Sequence, residues 1–168
     1  MVWRDPRDVY VSLYHHAFFV HQDYPFNKVA VKRAKSRYKF DDYDDVKANL
    51  PFFVKDQFVN PLTPNFSWAD FAKKWHGDAN AVHVRYEDLR QHPAESLRDV
   101  IQSLGFTIDE QRLKSVVEKH DISKKEHTGK SFVRRGKVAG YLDYLDHQTI
   151  DIVNQHCQPW MKKLGYEE

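Results

Sequence analysis

The chain has 168 residues, 41% hydrophobic and 14% aromatic, which suits one folded domain and excludes a disordered polymer. Its 26 basic and 24 acidic residues nearly cancel, to a net charge of +2, so it is no polyelectrolyte partner for nucleic acid. The single cysteine, Cys157, cannot form an internal disulfide. No stretch is apolar enough to span a bilayer and no signal-peptide layout is present, and on that footing the cytoplasm is the expected compartment.

Met1-Val2-Trp3 read as the end of a buried strand. Asp5 then reads as an N-cap and Pro6 as a first helical residue, with Val9, Leu13, Ala17 and Val20 at helical spacing out to about residue 20. A strand end feeding a helix start offers free backbone N–H groups to an anion, and Arg4 stands at that junction with a planar five-donor fork. Ser12 follows two turns on, where its hydroxyl could reach the same anion. The competing reading pairs Arg4 with Asp5 or Asp8. The segment from His21 to Asn27 is turn-rich around Pro25. Lys28 to Lys39 is basic and Asp41, Asp42, Asp44 and Asp45 follow it, the pattern of a solvated helix and loop.

Val46 to Val59 reads as a helix interrupted near Pro51. Ser67 reads as the cap of a helix over Trp68–Trp75, with Phe71 and Trp75 spaced four apart on one face. Ala81 to Tyr86 is the strongest strand signal, with His83 and Arg85 on the side opposite Val82, Val84 and Tyr86. Glu87 and Asp88 then suggest a helix start. Pro93 opens a helix that Gly105 closes, and Thr107 with Glu110 has the spacing of a capping box for the next. His120 to Lys130 is polar and reads as a loop. The last helix, Thr149 to Leu164, is expected to break or kink at Pro159 and to end at Gly165. This order predicts an α/β layer fold around a parallel sheet. The ten histidines include His15, His16 and His21, but none has an acidic or cysteine ligand at tight spacing, so no metal site is expected.

Three segments carry a further signal: Trp3 to Ser12 (WRDPRDVYVS), Val84 to Leu89 (VRYEDL) and Phe132 to Lys137 (FVRRGK). Together and in this order they resemble the sulfotransferase family that uses 3′-phosphoadenosine-5′-phosphosulfate (PAPS). The resemblance runs from Arg4 to about Gly165. It implies a P-loop-like parallel-sheet fold, helix-rich, of which this chain is the C-terminal part of a single domain covering residues 1–168. It also implies a nucleotide whose 3′-phosphate is held by Arg4, Ser12, Arg134, Arg135 and Gly136, with Tyr86 against the adenine. The acceptor would be a hydroxyl or an amine.

Two departures qualify what is implied. The family's glycine-rich loop with its lysine, and the histidine base after it, have no counterpart here, so the chain is expected to be catalytically incomplete with no catalytic residue of its own. The family's Arg-Lys-Gly-x-x-Gly-Asp-Trp also becomes Arg134-Arg135-Gly136-Lys137-Val138-Ala139-Gly140-Tyr141-Leu142, with one extra residue between the glycines. Tyr14, His15, Phe18 and Phe19 are candidates for an acceptor pocket, set against ordinary packing. The alternatives in function are a non-catalytic nucleotide-binding remnant and a helical interaction module that uses the Lys28–Lys39 face.

Overall fold

The computed structural model describes residues 1–19, 25–62, 65–121 and 136–166. The chain divides into two compact units, one made of Met1–Arg4 with Gly77–Val138 and the other of Asp5–His76 with Ala139–Glu168.

The first unit contains the sheet. Strand β1 (Val2–Trp3) pairs in parallel with β2 (Val84–Arg85), in the register Val2↔Val84 and Trp3↔Arg85. The expected strand over Ala81–Tyr86 is therefore shorter than its pattern, because its partner offers only two residues and Tyr86 already begins helix α5 (Tyr86–Gln91). Of the residues expected to point away from Val84, His83 is exposed and Arg85 half-buried, and both have hydrogen-bond partners. The Trp3 indole N–H donates to His83 Nδ1 at 2.8 Å, with the two rings nearly parallel, and Arg85 grips Asp88.

Helix α6 (Pro93–Ser103) starts on its proline as expected. It ends in a Schellman motif, where Gly105 N–H donates to Gln102 O and Phe106 N–H to Ile101 O, with Gly105 at φ +79°. Helix α7 (Glu110–Lys119) is capped by Asp109, whose side chain accepts from Arg112 N–H at 2.8 Å, in place of the expected Thr107. Asp109 is adjacent to the first helical residue, so its carboxylate reaches N3 directly. Arg98 and Glu110 tie α6 to α7. The expected loop from His120 to Lys130 lies, from residue 122 onward, outside the described residues.

The second unit is helical. Asp5 caps α1 (Pro6–Phe19) by accepting from Arg7 N–H at 2.8 Å. The buried stripe of α1 is Tyr10, Val11, Tyr14 and Phe18, one position along from the expected Val9, Leu13 and Ala17. The aromatic rings bury far more area than the small aliphatics, so they set which face turns inward. Helix α2 (Pro25–Arg37) rests on α1 through Val31 and Ala34, with Lys28, Lys32 and Arg33 exposed, as a solvated basic helix requires.

Helix α3 (Val46–Val59) runs unbroken through Pro51. That proline forfeits one backbone bond, while the Asp45 cap holds the first turn and Leu50, Phe53 and Val54 are buried around the site. Helix α4 (Trp68–Trp75) has the Ser67 cap, completed as a capping box with Asp70. Its innermost residues are Trp68 and Ala72, with Phe71 and Trp75 half-buried beside them. A 3-10 turn over Gly140–Asp143 leads to α8 (His147–Lys163). Helix α8 continues through Pro159 because Thr149, Val153, Cys157 and Met161 form a fully buried i, i+4 ladder along it. It closes at Gly165 with a second Schellman motif.

The core of this unit is aromatic. Phe53 has the rings of Tyr14, Phe18 and Tyr38 at 5.3, 5.7 and 5.2 Å, and all four side chains are essentially inaccessible to solvent. Gln57 donates to the Tyr38 hydroxyl, which itself donates to Asp56. Tyr14 and Phe18 are thus packing residues. His15 is half-buried and Phe19 more exposed.

Candidate functional site

Four of the six residues singled out in the sequence are among the described residues, and three of these, Arg4, Tyr86 and Gly136, lie in the first unit. The register Trp3↔Arg85 puts the next residue of each chain segment, Arg4 and Tyr86, side by side where the sheet ends. The Arg4 guanidinium carbon accordingly sits 4.6 Å above the centre of the Tyr86 ring. An aromatic face against a guanidinium restrains how the fork is oriented. Both side chains are half-buried, where a charge–anion contact is less screened than at an open surface.

Asp5, the neighbour expected to compete for Arg4, is held by Arg7. Arg7 Nη2 lies 2.6 Å from Asp5 Oδ2, and Arg7 Nε reaches both carboxylate oxygens. Asp8 accepts from Tyr141 N–H at 2.8 Å. Next to Tyr86, Arg85 binds Asp88 through two N–H groups at 2.9 and 2.7 Å and holds that carboxyl below the usual carboxylate range. Glu87 and Asp88 form the first turn of α5, as expected, and brace the sheet end.

Gly136 belongs to the same unit. Its φ of +59° is left-handed, which a glycine adopts without the steric cost that a side chain brings. Its carbonyl accepts from Arg90 Nε at 3.0 Å. The sequence reading did not single out Arg90, although a signal was there. Arg90 follows Tyr86 by four residues, so a helix starting at Tyr86 brings both to one face.

Ser12 lies in the second unit, half-buried on α1, with the Asp5–Arg7 pair and Tyr141 at the start of the same helix. There the Arg7 guanidinium stacks 4.6 Å over the Tyr141 ring, and burial pushes the Tyr141 hydroxyl above its usual pKa. Arg134 and Arg135 lie outside the described residues.

The altered glycine spacing has a structural counterpart. Counted from Gly136, the second glycine of the Gly-x-x-Gly pattern falls on Ala139. Ala139 is the one described non-glycine residue with positive φ, at +54°. The backbone thus keeps a glycine-type bend at that position even though an alanine fills it.

Among the described residues, no three His, Cys, Asp or Glu side chains cluster as metal ligands, and no helix is long and apolar enough to cross a membrane. What the first unit does present is a cation held over an aromatic ring, and a glycine bend bonded to the helix that carries that ring. That arrangement suits a phosphate dianion.

The model of the sulfotransferase domain family matches residues 1–165. Carbohydrate sulfotransferase 1 of Danio rerio is 25% identical over 122 residues, which is 68% of this chain and 27% of that protein. The crystal structure of retinol dehydratase in complex with androsterone and inactive cofactor PAP shares the fold. Its TM-score is 0.62 at 22% identity, covering 96% of this chain and 46% of that one. This chain therefore spans less than half the length of either relative. With the family match covering nearly every residue, the chain belongs to the sulfotransferase domain family.

Proposed function

We propose that this chain holds the 3′-phosphate end of PAPS in a sulfotransferase whose acceptor is a hydroxyl or an amine. The observation that carries the reading is Arg4, fixed over Tyr86 at the end of a parallel strand pair. A guanidinium oriented in advance loses little freedom when it takes up a phosphate, which is the condition for a tight charge-assisted contact. Gly136 adds a backbone position that a phosphate can approach closely. Ser12, Arg134 and Arg135 complete the proposed set by their match to the family motifs, with Tyr86 against the adenine. PAP bound to retinol dehydratase, a protein of the same fold, supports the choice of nucleotide.

PAPS supplies the sulfuryl group, and in this reading the residues of this chain bind and orient the nucleotide. The lysine and histidine that the family resemblance assigns to the sulfuryl group have no match here. The 168-residue polypeptide alone is therefore proposed to bind the nucleotide without turning it over.

Calorimetric titration with adenosine 3′,5′-bisphosphate tests the site. Arg4→Ala should weaken binding about tenfold or more, the loss expected for a charged hydrogen-bond donor. Equal affinity in wild type and Arg4→Ala would overturn the reading. Detectable transfer of labelled sulfate from PAPS by the purified chain would overturn its proposed inactivity.

A further inference from the structure

We propose that Arg90 is a positioning residue for the nucleotide site, acting through the Gly136 peptide. This inference rests on the reading of Gly136 and Arg4 given above, and it adds a residue that the sequence motifs do not mark.

The argument starts from a backbone problem. Gly136 has φ +59° and therefore a local freedom that no side chain of its own can restrain. A flexible peptide pays an ordering cost each time it closes on a ligand. Arg90 removes part of that cost, because its Nε–H donates to the Gly136 carbonyl at 3.0 Å across 46 residues of sequence. The donor is itself restrained. Arg90 lies on the last turn of α5, one turn beyond Tyr86, on the helix face that carries the Arg4 stack. One short helix therefore fixes both halves of the site in the first unit, the cation through Tyr86 and the glycine bend through Arg90. With the carbonyl tied back to α5, the plane of the peptide between Gly136 and Lys137 is held in one orientation.

The bond uses only Nε, and this makes the role separable from charge. Glutamine carries its amide nitrogen the same number of bonds from the backbone as arginine carries Nε. Arg90→Gln can keep the Gly136 bond while removing the charge. Arg90→Met keeps the bulk and removes both.

The full 168-residue chain would be titrated with adenosine 3′,5′-bisphosphate and with adenosine 5′-monophosphate, which lacks the 3′-phosphate. The expected result is a loss of about fivefold to tenfold for the bisphosphate in Arg90→Met, roughly one hydrogen bond, with the monophosphate unchanged. Arg90→Gln should stay within about twofold of wild type. Arg90→Met binding the bisphosphate like wild type would overturn the role. So would equal losses for both nucleotides, which would mark a general structural defect, or an Arg90→Gln as weak as Arg90→Met, which would mark a direct contribution of charge. A wild-type chain that binds neither nucleotide would overturn the nucleotide-site reading itself, and the role of Arg90 with it.

Discussion

Around Phe53 the neighbours are rings: Tyr14, Phe18 and Tyr38 all lie within 6 Å and all are inaccessible to solvent. Around Tyr86 the setting is polar, with one guanidinium stacked on it, a second one turn away, and a third next to it bound to Asp88. The first region tolerates no change in volume but has no chemistry to offer a ligand. The second buries few large side chains, Trp3 and Leu113 among them, and relies on hydrogen bonds of defined direction. Dispersion and apolar burial set stability in the aromatic unit, while oriented donors set recognition in the unit with the sheet.

Three substitutions would sharpen or break that contrast. Phe53→Ala should have the largest effect, a loss of about 3–5 kcal/mol in unfolding free energy from urea denaturation, since it leaves a cavity among rings that cannot collapse into it. A loss below about 1 kcal/mol would mean the ring cluster is not the stabilising core. Trp3→Phe keeps an aromatic ring but removes the N–H that reaches His83, and should cost about 1 kcal/mol by the same measurement. No change would show that the strand pair is held by its backbone alone. The smallest effect is expected at Ala139, where Ala139→Gly should stabilise by about 0.5–1 kcal/mol because the native φ is left-handed. A destabilised variant would refute the view that this alanine bears backbone strain.

Much of this was legible in the sequence because the signals were local. Asp5-Pro6, the Ser67 cap, Pro93 and the closing glycines Gly105 and Gly165 each act on backbone groups a few residues away, and each appears where its spacing placed it. The less legible features depended on distant partners. The length of β2 is set by the two residues of β1, which no pattern within Ala81–Tyr86 could reveal. The inward face of α1 is chosen by what Tyr14 and Phe18 meet on α3, and Pro51 and Pro159 stay helical because tertiary packing outweighs one missing backbone bond. At the site, Arg4 and Tyr86 were each visible as motif residues, but their meeting follows from the register. Arg90 belongs to no motif and emerges only from its bond to Gly136.

The start of α1 depends on partners far along the chain. Asp5 and Arg7 grip each other while Arg7 also reaches the carbonyl of Tyr166 at 3.1 Å, and Asp8 takes the amide of Tyr141. During translation residues 5–8 leave the ribosome long before residues 141 and 166 have been joined to the nascent chain. The opening turn of this helix can therefore reach its final bonding only after synthesis has passed Tyr166, and until then it is a segment on which a chaperone has time to act.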